Sequence, residues 1–424
     1  MPTAEILSQG DEVITGQIAD TNASWLSEQL TSLGFDVTRH SAAGDRLDDL
    51  VQMFDEVASR CDVAIGTGGL GPTEDDLTAQ AMADCLGVPL VLDEVAMEQI
   101  RDRYIRAGRV MPEVNQKQAW LPQGATRLDN QWGTAPGFAV RHRGAWMVFL
   151  PGVPREMHGM FPHVVLPLLH TEFNAAPGRL VTLRTTGIGE SNLQERVAGV
   201  VVDGAVLGFR TSLPENHIKL RFPSGAASQP IVSAIQQLAE AIGSPFFSVE
   251  GASDLGLELP GMDVVGGGLA EVTGRALLAR GETLAIAESC TGGAVSARCA
   301  SVPGASGWLL ESVVTYANAS KVRRLGIEPE ALERHGAVSE PVAREMADSV
   351  RRQAGATYGL STTGIAGPGG GSPEKPVGTV HIALSTPSTI HHRMLRLSGS
   401  RSRIQSLASA AVLDLLRRHL QGRF

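Results

Sequence analysis

Asp62-Val63-Ala64-Ile65-Gly66-Thr67-Gly68-Gly69-Leu70-Gly71-Pro72-Thr73-Glu74-Asp75-Asp76 is the stretch from which the fold is read. A short apolar run ends in a glycine loop, and a helix is predicted from about Leu77. An apolar run bounded in this way reads as a buried strand. Its neighbours repeat the alternation. Ala4 to Ser8 is a short strand, Asp20-Thr21-Asn22 supplies N-cap residues, and Trp25, Leu26, Leu30 and Leu33 follow at helical spacing before Gly34 stops the helix. Phe35 to Thr38 starts another strand, and Asp45 begins a helix through Leu50, Phe54 and Val57. Strands separated by helices of this length predict an α/β domain over residues 1–172, built on a parallel sheet covered on both faces. Such sheets bind ligands in the loops at the carboxyl ends of their strands.

Residues 175–250 read as a smaller α+β module. It has a strand from Leu180 to Thr186, a helix from Ser191 to Val200, strands at Ala205–Thr211 and His217–Phe222, and a helix from Pro230 to Ile242. Residues 251–261 have turn composition without periodicity and are expected to be a linker. A second α/β domain is expected over 262–424. It opens with a helix from near Met262 to Arg280 and a strand from Thr283 to Ala287, and closes on a helix from about Arg403 to Leu420.

The composition supports two or three packed domains. With 424 residues, 43% hydrophobic and 19% charged, the chain can bury sizeable cores. Its 48 glycines lack a period of three and so belong to local loops. The formal charge of −9 argues against a basic nucleic-acid binder, but it is unevenly spread: residues 1–253 carry a net −12 and residues 254–424 a net +3. The four cysteines Cys61, Cys85, Cys290 and Cys299 are too few for a disulfide framework, which fits a cytoplasmic protein. No apolar run of about 18 residues is present, so no membrane span is expected.

Four glycine loops mark the first domain: Gly10 to Gly16, Gly66 to Asp76, Gly133 to Gly137, and Pro151 to Met157 with Arg155 at a helix start. Gly68, Gly69 and Gly71 let the backbone approach an anionic ligand. Glu74, Asp75 and Asp76 would repel a bare phosphate. A divalent cation between them and the phosphate resolves the conflict, because hard oxygen ligands suit Mg²⁺-like ions. Asp76 and Asp45 are the chief candidates and Asp75 a further one. The competing reading is that these acids favour a helix first turn.

In the last domain, strand Leu284 to Ala287 runs into Glu288-Ser289-Cys290-Thr291-Gly292-Gly293 and a helix through Ala300. Ser289 at such a turn is placed as a nucleophile near backbone amides. Ser289 or Thr291 as a helix cap is the plain alternative. Val313-Val314-Thr315-Tyr316-Ala317-Asn318-Ala319-Ser320-Lys321 puts Tyr316 at a strand end and Lys321 in a helix first turn, where a cation is disfavoured. A desolvated lysine near other cations has a lowered pKa and can act as base to a serine, with tyrosine relaying the proton. Gly364 and Gly367, in the loop from Thr362 to Gly371, offer amides for an oxyanion or phosphate, and Arg401 offers a forked donor. Cys290 is the rival nucleophile. His335 and His381 lack an evident acidic partner for a Ser-His-Asp set.

Together these stretches resemble the CinA family. The Gly-Thr-Gly-Gly-Leu-Gly-Pro-Thr-Glu-Asp-Asp-Leu-Thr run resembles the signature of its N-terminal molybdopterin-binding-like domain, and Glu-Ser-Cys-Thr-Gly-Gly with the Tyr316 and Lys321 segment resembles its C-terminal domain. Val13 and Ile14 stand where the family usually has two leucines. The resemblance implies a metal-dependent ADP-ribose pyrophosphatase in the first domain, with Asp45 and Asp76 at positions of essential acids, and a KH-like topology for the middle module. That module lacks a Gly-x-x-Gly loop and is not basic enough to suggest RNA binding. For the last domain it implies a nicotinamide mononucleotide deamidase of the PncC type, with Ser289 as nucleophile, Lys321 as base and Tyr316 as helper. Thr291, Gly292, Gly293, Gly364, Gly367 and Arg401 are expected at the substrate, and since amide attack by serine needs no metal, no cofactor is expected for this domain. A homodimer is also implied. The alternatives are a regulatory protein of competence or DNA damage, and a pterin- or nucleotide-binding first domain without hydrolysis.

Overall fold

The computed structural model describes residues 1–259 and 264–422. The expected linker end at Pro260-Gly261, the expected domain start at Met262 and the last two residues lie outside the described residues. The chain divides into two compact units, Met1–Gly178 and Arg179 onward.

In the first unit, β1 (Thr3–Gln9), β2 (Asp36–Ala43) and β3 (Val63–Thr67) form parallel pairs, β2 and β3 flanking β1. Two short strands, β4 (Leu90–Leu92) and β5 (Trp120–Pro122), make a separate antiparallel pair. β6 (Thr126–Leu128), β7 (Gly137–His142) and β8 (Ala145–Leu150) complete the main sheet in the order β2-β1-β3-β8-β7-β6. β8 runs parallel to β3, but β7 and β6 are antiparallel to their neighbours. The sheet is therefore mixed rather than wholly parallel. Arg143 and Gly144, both with positive φ, turn the chain directly from β7 into β8, and a connection this short can only make a hairpin. Every residue of β3 is buried, as expected of a central strand covered on both faces. One face packs on a core that includes Leu26, Leu30 and Phe161, the other on Leu50, Phe54 and Met82.

In the second unit, β9 (Arg179–Thr186), β10 (Val206–Ser212), β11 (Glu215–Phe222) and β12 (Phe246–Glu250) form an antiparallel sheet in the order β10-β11-β9-β12, with helices Glu190–Val197 and Ser228–Ile242. β12 lies within a stretch read as the tail of the module; pairing with β9 makes it a strand. The expected linker is packed over its described part. Ala252 and Leu257 are buried in the core of this module, and Arg179 binds the Asp254 carboxylate. Leu255 and Leu259, partly buried, pack against the same core, so apolar side chains hold a segment of turn composition in place.

The remaining sheet has the order β14-β13-β15-β16-β17, from β13 (Leu284–Glu288), β14 (Leu309–Val314), β15 (Tyr358–Gly364), β16 (Thr379–Ser385) and β17 (Ile390–Arg396). β14, β13 and β15 are parallel, and β16 and β17 are antiparallel. The first helix is Leu269–Arg280, shorter than expected because Gly266, Gly267 and Gly268 precede it, and the last is Arg401–Leu420. That last helix ties the two sheets of this unit together. The buried Arg417 binds Asp414 and donates to the carbonyls of Ser244 and Phe246. Among the described residues no helix is long and apolar enough to cross a membrane.

Candidate active sites

In the first unit the glycine loops converge. Residues of all four line one cavity of about 480 Å³ at the carboxyl ends of β1 and β3, among them Gly10, Asp45, Gly69, Asp76, Thr134 and Gly152. Gly68 and Gly71 also line it, as does Asp75. Gly69 has φ +63, and a Cβ there would overlap Gln9 Nε2 and Thr78 Oγ1. Only glycine fits so close to β1.

Asp45 and Asp76 are set by the loops they face. The Asp76 carboxylate accepts the Gly71 amide at 2.7 Å, the Thr73 amide at 2.8 Å and the Thr73 hydroxyl, which closes the glycine loop on itself. Asp45 accepts the Asp11 amide at 3.1 Å and Gln9 Nε2 at 3.2 Å. It does not cap the next helix, which starts at Leu47 with no side-chain cap. Nor do Glu74, Asp75 and Asp76 lie in a helix first turn, since the helix runs from Thr78 to Leu86 and has no acidic residue there. The three aspartates do not already converge on one point. Arg155 is exposed and absent from the cavity lining, where Glu156, held by Asn130 Nδ2 at 2.7 Å, stands instead.

In the second unit β13 delivers Ser289 directly after Glu288. Lys321 Nζ donates to Ser289 Oγ at 2.9 Å and to the Thr315 carbonyl at 2.8 Å. Ser289 is 8% exposed and Lys321 only 1%. Burial holds the Lys321 amine below the ordinary lysine range, because a charged ammonium loses its water there. The expected neighbouring cations are not the cause. Cys290 is driven the opposite way: burial pushes its thiol up to about 12, so the rival nucleophile is held as an inert thiol.

Tyr316 departs from its expected place. Its backbone carbonyl, not its hydroxyl, accepts from Lys321 Nζ, at 3.3 Å. The side chain is 56% exposed, and its hydroxyl accepts from Arg401 Nη2 at 2.5 Å. Arg401 also donates to the Gly367 carbonyl at 2.8 Å. Both partners are neutral, so its charge remains available to an anion. This brings Tyr316, Gly367 and Arg401 together, with the Tyr316 backbone carbonyl on Lys321. Thr291 is buried and engaged with the Thr362 hydroxyl at 2.6 Å. It does not cap the helix Ala294–Ala300, and Gly293, with φ +101, occupies the N-cap position.

Two family models match the sequence: a probable molybdopterin binding domain over residues 5–171 and the CinA C-terminal domain over residues 267–420. A CinA-like protein of Anaeromyxobacter sp. (strain K) is 41% identical over 97% of this chain and 98% of its own length. The chain belongs to the CinA family. A CinA-like protein of Shewanella piezotolerans is likewise 41% identical, over 98% of this chain and 95% of its own. The crystal structure of CinA from Thermoplasma acidophilum aligns at 32% identity over 40% of this chain and 97% of that one, with a TM-score of 0.36.

Two residues of this CinA chain escaped the reading of its sequence. Glu288 is fully buried and accepts the amides of Gly293, Val295 and Ser296 as well as the Ser296 hydroxyl. It therefore occupies the helix N-terminus that was expected to face a ligand, and it fixes the turn carrying Ser289. A carboxylate ending an apolar strand just before a helix was the available signal. Gln9 joins Asp45 to the Thr78 hydroxyl at the head of the glycine-loop helix. A polar side chain closing the buried strand β1 marked it. His381 pairs with His392 at 2.9 Å, and burial drops it to about 4, so it is neutral at pH 7.

Proposed function

We propose that the C-terminal domain is a serine amidohydrolase that converts nicotinamide mononucleotide and water to nicotinate mononucleotide and ammonia. The 2.9 Å contact of a buried Lys321 amine with Ser289 Oγ carries this reading. In its neutral form Lys321 accepts the Ser289 proton as Oγ attacks the carboxamide carbon. The resulting ammonium gives that proton to the departing nitrogen, the C–N bond breaks, and ammonia leaves an acyl ester on Ser289. Lys321 next takes a proton from water, whose oxygen attacks the ester carbon. The ester bond breaks, nicotinate mononucleotide leaves, and Oγ regains its proton. Arg401 holds the substrate phosphate, with Tyr316 fixing the guanidinium. The net +3 of residues 254–424 suits a dianionic mononucleotide.

For the N-terminal domain we propose ADP-ribose pyrophosphatase activity dependent on a divalent cation. Asp45, Asp75 and Asp76 present hard oxygen donors to one cavity. Such a set fits a Mg²⁺-like ion, which takes one or two carboxylates and completes its shell with water and substrate phosphate oxygens. When bound, the ion would offset the charge of the pyrophosphate and polarise a phosphoryl oxygen. The chain itself supplies the glycine backbone that admits the phosphates and the hydrogen bonds that hold Asp45 and Asp76. Product analysis of the whole chain with each substrate, with and without chelator, tests both halves. Ammonia release that persists in chelator, with AMP and ribose phosphate formed only without it, is expected. Loss of both activities on chelation would contradict the division of labour.

A further inference from the structure

A third set of reactive side chains lies at the other end of the N-terminal sheet. Asp55, on the helix Leu47–Ala58, Cys85, on the helix Thr78–Leu86, and His142, at the end of β7, bring one donor atom each within 4.8 Å of one another. His142 pairs with Ala145, the first residue of β8, so the cluster sits at the amino ends of the parallel strands. The glycine-lined cavity is at their carboxyl ends, and none of these three residues lines it.

The orientation of the histidine decides what the cluster can do. Cys85 Sγ lies 3.4 Å from His142 Nε2, and Asp55 Oδ1 lies 2.7 Å from the same nitrogen. A Cys-His-Asp relay needs the thiol on one ring nitrogen and the carboxylate on the other. Here both face one nitrogen, so proton relay from thiol to carboxylate is ruled out. Three donors aimed at one point are instead what an ion requires. Bond lengths of about 2.0–2.3 Å around tetrahedral zinc place sulfur, nitrogen and oxygen donors about 3.3–3.6 Å apart. The sulfur and nitrogen already stand at that separation, and the carboxylate need only retreat by about half an ångström.

We propose that Asp55, Cys85 and His142 bind a borderline-soft divalent cation of the zinc class. The donor set selects that class, since thiolate and imidazole favour zinc over Mg²⁺ or Ca²⁺. Binding releases the Cys85 thiol proton to solvent, the metal–sulfur bond forms, and water fills the fourth position. The elements bearing the ligands share one core, with Leu50, Phe54, Met82 and Val140, so the donors are held before any ion arrives. Arg143 is the competitor: its Nε and Nη2 hold the two Asp55 oxygens at 2.6 and 2.7 Å. Ion binding must loosen this grip, which makes Arg143 a brake on affinity.

The test uses the full-length chain, stripped with chelator under reducing conditions and titrated with Co²⁺. A single equivalent is expected to give a thiolate-to-cobalt charge-transfer band that Zn²⁺ abolishes. Cys85→Ser should remove the band, His142→Ala should weaken binding by about tenfold or more, and Arg143→Gln, which takes the guanidinium off the Asp55 carboxylate, should tighten it by about tenfold. Cobalt bound at the oxygen-lined cavity alone would show no such band. Absence of the band in the unaltered chain, or its survival in Cys85→Ser, would overturn the proposal.

Discussion

Lys321 Nζ lies 2.9 Å from Ser289 Oγ, while the thiol of Cys290, the next residue along, is buried and held protonated. One turn of chain thus offers two potential nucleophiles, of which the serine is hydrogen-bonded to a buried amine. Burial of Lys321 lowers the cost of its neutral form, and the carbonyls of Thr315 and Tyr316 fix the direction of its amine.

The pH dependence follows from that burial. Because the folded pKa of Lys321 is depressed, the amine is charged at low pH and becomes a base as pH rises through a value below the ordinary 10.5. The rate of ammonia release from nicotinamide mononucleotide should climb about tenfold per pH unit on its acid limb and level off before the ordinary lysine value. Lys321→Arg, which cannot lose its charge, should lower kcat by about 10³-fold or more. A flat profile would remove Lys321 from the base role.

In the proposed mechanism Tyr316 and Arg401 serve the substrate rather than the base, since Arg401 holds the Tyr316 hydroxyl. Tyr316→Phe should leave the pH profile in place and raise KM several-fold, because the hydroxyl it removes touches Arg401 and not Lys321. Arg401→Ala should raise KM further, by about 10–100-fold, as expected for a lost charge-assisted phosphate contact. Steady-state kinetics distinguish these effects from a fall in kcat alone.

Glu288 is a positioning residue. Glu288→Ala strands three helix amides and should destabilise the domain by about 1–3 kcal/mol, measured by denaturant melts. Activity should fall as well, because the same turn carries Ser289. Glu288→Gln keeps acceptors for part of the set and should recover part of both losses.

Gly69→Ala should disturb only the first unit. Its left-handed backbone costs a side chain about 1–2 kcal/mol, and the added methyl meets Gln9, which holds Asp45. ADP-ribose hydrolysis should drop by about tenfold or more while ammonia release is unchanged. Parallel assays of both activities on the one variant check this.

Much of this arrangement was legible in the sequence because strand-to-loop boundaries carry it. An apolar run followed by glycines placed Gly69 and Asp76 on one cavity, and a lysine set awkwardly at a helix start pointed to a buried amine. What stayed hidden depended on contacts between residues distant in sequence or on side-chain direction within one turn. Nothing in the Tyr316–Lys321 spacing separates a bond to the tyrosine carbonyl from one to its hydroxyl. Which of Arg155 and Glu156 faces the cavity is set by Asn130, far along the chain. The antiparallel edge of the first sheet hangs on the two-residue turn at Arg143 and Gly144, set within apolar runs that read alike for parallel and antiparallel strands.

The central claim is that Ser289 is the nucleophile, and it is tested most directly by ammonia release from nicotinamide mononucleotide in two single variants. Ser289→Ala should lose activity by about 10⁴-fold or more, whereas Cys290→Ala should keep it within a few-fold. Retained turnover in Ser289→Ala, or its loss in a folded Cys290→Ala, would contradict the account.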